Sequence, residues 1–331
     1  MIIVARYAEH GAPEKVVFPE TEPLREPGAG EVLFDHVVAP INPADLNAIQ
    51  GVYATLPPLP ATPGVEGVAT IRAVGPGVPE EFAPGKRVIL PHGYGTWREA
   101  GTLPAEKLVP VPDDIPYLTA AMLKINPATA WHMLHRFVPL KPGDWVALNA
   151  ANSAVGRLVI ALAREMQVRT LCFVRRPELT EGLMLAGATA VFPDTADGTD
   201  VAKKMLGNTP LRLALNAVGG ESALRLGSLL SPQGIHVTYG AMSGQALKIP
   251  ASHLIFKDLQ YRGFWVSRWY LSAPAEEVQA MYTELFRLAR KGVFQIPVAR
   301  VYPVTEVKEG ILHAMQGGRS GKVLLGTPPA G

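Results

Sequence analysis

The sequence predicts an α/β protein in which a doubly wound parallel sheet is joined to a smaller, partly open β-barrel. Three observations lead there. Residues 145–176 read as strand, tight turn, helix and second strand with almost no slack between them. After them, short apolar strands alternate with helical stretches, the pattern of a parallel sheet covered on both faces. Before them, the first 120 or so residues are short strands broken by Gly and Pro, a spacing that suits a compact barrel.

The central unit is justified piece by piece. Residues 145–148 are apolar and follow the turn signal Lys141-Pro142-Gly143-Asp144, as a buried parallel strand should. From Val155, the apolar residues Leu158, Val159, Leu162, Ala163 and Met166 keep to one helical face, while Arg157, Arg164 and Glu165 fall elsewhere. Residues 170–174 form the next strand. At the GxGxxG spacing of a dinucleotide-binding turn the chain has Ala151, Ser153 and Gly156, so two of the three glycines are missing. The helix start still offers amide N–H groups and the positive end of its dipole, and Asn152 and Ser153 add side-chain donors, so Asn152, Ser153, Ala154, Val155 and Gly156 are candidate pyrophosphate contacts. An ordinary capped helix in a nucleotide-free domain is the alternative on these residues alone. The end of the second strand tips the balance, because Arg175 and Arg176 stand where an NAD enzyme places an acid. A guanidinium fork suits a 2′-phosphate and leaves NADH without a partner, which points to NADPH.

Length and composition set bounds. A chain of 331 residues, 48% of them hydrophobic, suits two domains and can bury a large core. The net charge of +2, with acids and bases interspersed, suggests neither a nucleic-acid partner nor a charged tail. A single cysteine, Cys172, lies inside the second strand and reads as a small buried hydrophobe. No segment has the length of a membrane span, and the opening MIIVARY looks like a strand rather than a leader, so the expectation is a cytoplasmic protein with no membrane partner.

Taken in order, residues 2–6, 16–18, 31–38, 67–74 and 87–90 are expected strands, with a long connection over residues 42–64 that is a candidate functional loop. A helix over 128–137 leads into the central unit. Residues 190–192, 211–217, 235–239 and 259–265 are further strands, with helices over 221–230 and 275–291. The strand ends carry Ala217-Val218-Gly219-Gly220 and Tyr239-Gly240-Ala241-Met242, and ligands bind outside the carboxyl ends of such strands. The tail returns to strand, helix (306–316) and strand. The expected domains are therefore residues 1–122 with 296–331, and residues 123–295.

With these residues in place, the chain resembles the medium-chain dehydrogenase/reductase superfamily, and within it the 2-enoyl thioester reductases related to the mitochondrial enoyl reductase of fatty acid synthesis. The resemblance runs nearly end to end through NPADLNAIQGVY (42–53), LPATPGVEGVA (59–69), INPATAWHML (125–134), NAANSAVG (149–156), LALNAVGG (213–220) and IFKDLQYRGFWVSRW (255–269). It implies a GroES-like barrel domain and a Rossmann domain. Zinc-dependent members carry a cysteine near Asn42 and a cysteine-rich lobe, and this sequence has neither, so no metal is expected. His132 and His135, at i and i+3 on one helix, lack a third ligand and read as packing or surface histidines.

The activity implied is NADPH-dependent reduction of the 2,3 double bond of an enoyl thioester, carried on coenzyme A or an acyl carrier protein, with hydride to the β-carbon and a proton to the α-carbon. Tyr53 matches the family's catalytic tyrosine; a phenol stays protonated at neutral pH yet can serve an enolate as acid. The resemblance also implies Asn126 as a polar contact on the nicotinamide side, Tyr239, Gly240, Ala241 and Met242 with Phe264, Trp265, Val266 and Ser267 as segments lining the nicotinamide, and Lys322 as a late lysine reaching the cofactor. The family has one more residue between its two arginines than separates Arg175 from Arg176. Trp97, Trp131, Trp265 and Trp269 are candidates for an apolar acyl channel. The family commonly pairs into homodimers through the edge of its nucleotide sheet. Two alternatives share the fold: a zinc-independent NADPH:quinone oxidoreductase, and a nucleotide-binding structural or sensor protein without activity.

Overall fold

The computed structural model describes residues 1–318 and 321–328, so residues 319–320 and 329–331 of the expected tail segment lie outside the described residues. The chain forms two compact units: residues 1–125 with those from Ala273 onward, and residues 126–272. The helix Ala275–Arg290 thus groups with the barrel rather than with the sheet that precedes it. One anchor is an ion pair from Arg290 Nε to Asp114 Oδ2 at 2.6 Å, joining residues far apart in sequence but within one unit.

In chain order the strands are β1 (Ile2–Arg6), β2 (Phe18–Glu22), β3 (Glu31–Pro40), β4 (Val68–Val74), β5 (Arg87–Ile89), β6 (Gly101–Pro104) and β7 (Val109–Val111). The second unit supplies β8 (Trp145–Leu148), β9 (Arg169–Val174), β10 (Ala190–Pro193), β11 (Leu211–Asn216), β12 (Ile235–Thr238) and β13 (Gln260–Gly263), and the tail adds β14 (Val298–Tyr302) and β15 (Lys322–Gly326).

In the barrel unit, β1 and β2 pair antiparallel, and the larger sheet runs β14-β15-β3-β4-β5-β7 with β6 also paired to β3. The core beneath it gathers Tyr7, Ile41, Ile49, Trp97, Val307, Ile311 and Leu325, so the tail helix Val307–Met315 completes a core begun by the first residues of the chain. Trp97 is fully buried there and is a packing residue of the barrel, not the wall of a channel. The expected strand at 16–18 is displaced: Pro13–Val16 is a helical turn, which Pro13 favours at its first position, and the strand begins at Phe18. Within the long connection the structure places a helix at Pro43–Ile49.

In the second unit, six parallel strands run in the order β10-β9-β8-β11-β12-β13. The central strands are buried on both faces: every residue of β8, and Leu211, Leu213, Ala214 and Leu215 of β11, are buried. Truncating one such leucine to alanine costs about 2–5 kcal/mol in comparable cores. The helix Ala154–Glu165 follows β8 directly, starting at Ser153, whose Oγ accepts from Gly156 N–H at 3.1 Å. One expected strand is shorter than its apolar run suggests. Residues 259–265 give only the four-residue β13, and the aromatic residues after it lead into the helix Val266–Ser272.

Candidate active site

The candidate phosphate turn combines one left-handed residue with one cap. After β8 the chain reverses over residues 149–153, with Ala150 at φ 46°. The left-handed residue therefore lies one position before Ala151, where the glycine pattern begins. Ala151 N–H donates to Phe173 O at 3.3 Å and Ser153 N–H to Ala150 O at 2.9 Å, which folds the turn against the end of β9. Because Ser153 Oγ satisfies Gly156 N–H, the amides of Ala154 and Val155 are left without intrahelical acceptors at the positive end of the dipole. Gly156 itself is required by packing: a Cβ there would sit 2.5 Å from Ala151 O and 2.7 Å from Ala150 O.

Arg175 and Arg176 leave the end of β9 with exposed side chains, and Arg176 Nε lies 3.8 Å from Glu178 Oε1. A loose, solvated pair of this kind is worth little by itself, so its guanidinium can exchange Glu178 for a phosphate. Tyr239 ends β12. Its hydroxyl lies by the Ser153 side chain without reaching hydrogen-bond geometry, and burial raises its pKa, which keeps it protonated. Gly240 follows, packed so that a Cβ would meet Ala217 O at 3.0 Å, then the exposed Ala241 and Met242. Phe264 and Trp265 are half-buried, whereas Val266 and Ser267 are buried within the first turn of their helix. Asn126 opens the helix Asn126–His135, 8% exposed, with its Nδ2 lacking an acceptor among the described residues.

His132 belongs to an aromatic nest. Its ring centroid lies 4.0 Å from that of Trp269 and 5.6 Å from that of Phe264, while His135 stacks on Trp131 at 4.5 Å. Among the described residues no group of three or more His, Cys, Asp or Glu side chains could hold a metal ion.

In the barrel unit, Tyr53 is half-buried on the segment after the helix Pro43–Ile49. That segment is fastened by Asp45, 2% exposed, whose Oδ2 accepts from Asn42 N–H at 2.8 Å and whose Oδ1 accepts from Val65 N–H at 2.9 Å. One carboxylate thus closes both ends of the connection. Asn42 Nδ2 donates to Glu66 Oε1 at 2.8 Å, Glu66 Oε2 accepts from Ile125 N–H at 2.9 Å, and Lys322 Nζ donates to Asn42 Oδ1. Lys322 is therefore engaged inside the barrel. Burial pushes Asp45 up to about 7, with the Glu66 charge adding to it, and pushes Lys124 down to about 7 against the pull of Glu66. This cluster was invisible to motif reading, although Asn42 and Glu66 lie within stretches that carry the family resemblance; the missing signal was an alternation of acid, amide and base brought together only by the fold.

Two family models match the chain: the alcohol dehydrogenase GroES-like domain over residues 28–113, and the zinc-binding dehydrogenase domain over residues 154–287. Together with the barrel and the doubly wound sheet they define a medium-chain dehydrogenase/reductase. Among curated proteins, the mitochondrial enoyl-[acyl-carrier-protein] reductase of Mus musculus is 40% identical over 96% of this chain and 87% of its own length. The chain belongs to that enoyl reductase family. Two solved structures cover 98% of it: one from Bacillus thuringiensis provisionally assigned as an NADPH:quinone reductase (TM-score 0.90, 30% identity, 98% of that chain), and the Etr1p/NADP/crotonyl-CoA complex (TM-score 0.89, 26% identity, 99% of that chain). No described helix is long and apolar enough to cross a membrane.

The nest around His132 generates a pH prediction. Burial, with the charges of Arg136 and His135, pushes this imidazole down to about 3. In the unfolded chain it takes up a proton near ~6.5, so its contribution to stability is complete above that pH and is lost as pH falls toward 3. Between pH 7 and pH 5 the group should remove on the order of 2 kcal/mol of unfolding free energy. Urea titrations of the wild type and His132→Phe at the two pH values check this, and equal slopes in both proteins would show that the imidazole is not held neutral.

Proposed function

We propose that the protein is an NADPH-dependent reductase of the 2,3 double bond of 2-enoyl thioesters. The observation that carries this reading is the 40% identity, over nearly the whole chain, to a relative named for that chemistry. The groups on the second unit fit the cofactor: amides at a helix N-terminus for the pyrophosphate, the Arg175 and Arg176 guanidiniums for the 2′-phosphate, and the orphaned Nδ2 of Asn126 for a carboxamide. Bound NADPH would supply a hydride to the β-carbon. The remaining work falls to the protein. Tyr53 gives its phenolic proton to the α-carbon as the acyl group takes up the electron pair, and the Asp45 fastening fixes the segment that presents it. Lys322, with Asn42 and Glu66, holds that segment's base. The thioester's carrier is coenzyme A or an acyl carrier protein.

The quinone alternative is favoured by one observation, the 0.90 TM-score to the Bacillus thuringiensis protein. It shares the cofactor groups and differs in needing no acid at Tyr53. A nucleotide-binding protein without turnover is the third outcome.

We further propose a homodimer through β13. Among the described residues this strand ends the sheet with one edge unpaired, and the helix Ala251–Ile255 before it, with Phe256 at its end, leaves Leu254, Ile255 and Phe256 51%, 70% and 81% exposed. An unpaired strand edge beside exposed apolar side chains is a ready template for pairing with a second copy.

Three measurements test these readings. Tyr53→Phe should lower crotonyl-CoA reduction at least tenfold, general acids contributing roughly 10²- to 10⁴-fold; undiminished crotonyl-CoA turnover would remove Tyr53 as the acid, and quinone turnover indifferent to the change would favour the oxidoreductase. Arg175→Ala combined with Arg176→Ala should erase most of the preference for NADPH over NADH in kcat/KM, and an unaltered ratio would mean that these arginines do not clamp the phosphate. Phe256→Glu should shift the chain from dimer to monomer in sedimentation velocity, an outcome excluded if the wild type already sediments as a monomer.

A further inference from the structure

Along the carboxyl edge of the parallel sheet, side chains continue the pairing of the strands after their backbone ladders end. β8 and β11 pair as far as Leu148 and Leu215, and the next residues are Asn149 and Asn216, 1% and 0% exposed. Asn149 Nδ2 donates to Asn216 Oδ1 at 2.7 Å and to Ser222 Oγ at 2.8 Å, and Asn149 Oδ1 accepts from Ala217 N–H at 2.7 Å. Asn216 Oδ1 also accepts from the N–H groups of Val218 and Gly219 at 3.1 and 3.0 Å, while its Nδ2 donates to Thr238 Oγ1 at 3.1 Å. The backbone donors fix which way each amide points, because reversing either would set N–H against N–H. On the other side, Ser222 Oγ donates to Asp194 Oδ2 at 2.6 Å, and Asp194 N–H donates to Val174 O, the residue before Arg175, at 2.8 Å.

The place of this ladder is as informative as its bonds. In the order β10-β9-β8-β11-β12-β13 the direction of progress reverses between β8 and β11, which is where a doubly wound sheet opens its ligand crevice. The Asn149–Asn216 bond lies across that reversal. On one side of it stands the phosphate turn over residues 150–153, and on the other the 217–220 segment, whose Gly219 and Gly220 take φ 87° and 51°.

We propose that Asn149 and Asn216 are positioning residues that set the width of the dinucleotide slot, so that a cofactor is gripped by both halves of the sheet at one fixed spacing. The inference rests on the NADPH reading above. It requires neither amide to touch the cofactor: the carbonyl and both N–H bonds of Asn149 are already committed within the sheet. A ligand spanning the reversal depends on the bridge, whereas a ligand held only on the β8–β9 side does not.

That asymmetry is the test. NADPH spans both halves, and adenosine 2′,5′-bisphosphate occupies only the half that carries the phosphate turn and Arg175. In Asn149→Ala, and in Asn216→Ser, whose side chain is too short to reach across, the NADPH dissociation constant measured by fluorescence should rise at least tenfold while that of the bisphosphate, measured by calorimetry, changes less than twofold. Thermal unfolding establishes that each variant is folded, and one folded variant suffices. Equal weakening of both ligands, or unchanged NADPH affinity in a folded variant, overturns the proposal, as does failure of both variants to fold, which would make the amides a folding requirement. A wild type that binds neither ligand overturns the cofactor reading itself and is distinct from all of these.

Discussion

A parallel sheet buried on both faces leaves little room for polar side chains along its central strands, and this constraint organises the second unit. Along β8 and through Leu213, Ala214 and Leu215 of β11 the side chains are apolar and buried, so the backbone ladder carries the hydrogen bonding there. At the strand ends the polar groups appear at once: Asn149 after Leu148, Asn216 as the last residue of β11, Arg175 after Val174, Tyr239 after Thr238. Each is placed by the strand that precedes it. The candidate cofactor groups are thus a consequence of where burial ends, and the amide network is how the sheet meets its last unpaired donors without water.

The barrel unit solves the opposite problem, holding charge inside. Asp45, Glu66 and Lys124 are each at most 2% exposed, so each depends on hydrogen-bond partners supplied by the fold. The return for that dependence is geometric. A connection of more than twenty residues would be free to wander, yet the two oxygens of Asp45 join its start at Asn42 to its end at Val65. Tyr53 therefore sits on a closed loop whose base is bound to β15 through Asn42 and Lys322.

Much of this was legible in the sequence, for physical reasons. The period of the apolar residues fixed the helix at Ala154–Glu165, and the apolar runs fixed β8 to β12, because burial on two faces leaves few substitutes for Val, Leu and Ala. β13 was overread, since Phe264 and Trp265 prolong an apolar run that in fact turns into a helix. The short helix at Pro43–Ile49 was missed inside a stretch whose prolines and glycines dominate its composition. The two buried networks were illegible because each unites residues from distant segments, and no periodicity marks Asn42, Glu66 and Lys322, or Asn149 and Asn216, as neighbours. The division between units was expected near residue 296, yet the helix before it packs with the barrel, where Arg290 finds Asp114.

Of the three positions in the nucleotide motif, only the last keeps glycine, and the reason lies in its surroundings rather than in any ligand. Two carbonyl oxygens stand within 2.7 Å of where a side chain at Gly156 would begin, while the reversal of the chain is taken up by Ala150. The fingerprint is thus a composite of separable demands, one architectural and two negotiable. Sequences that satisfy only the architectural one will escape a search for glycines yet still seat the helix against the end of its strand.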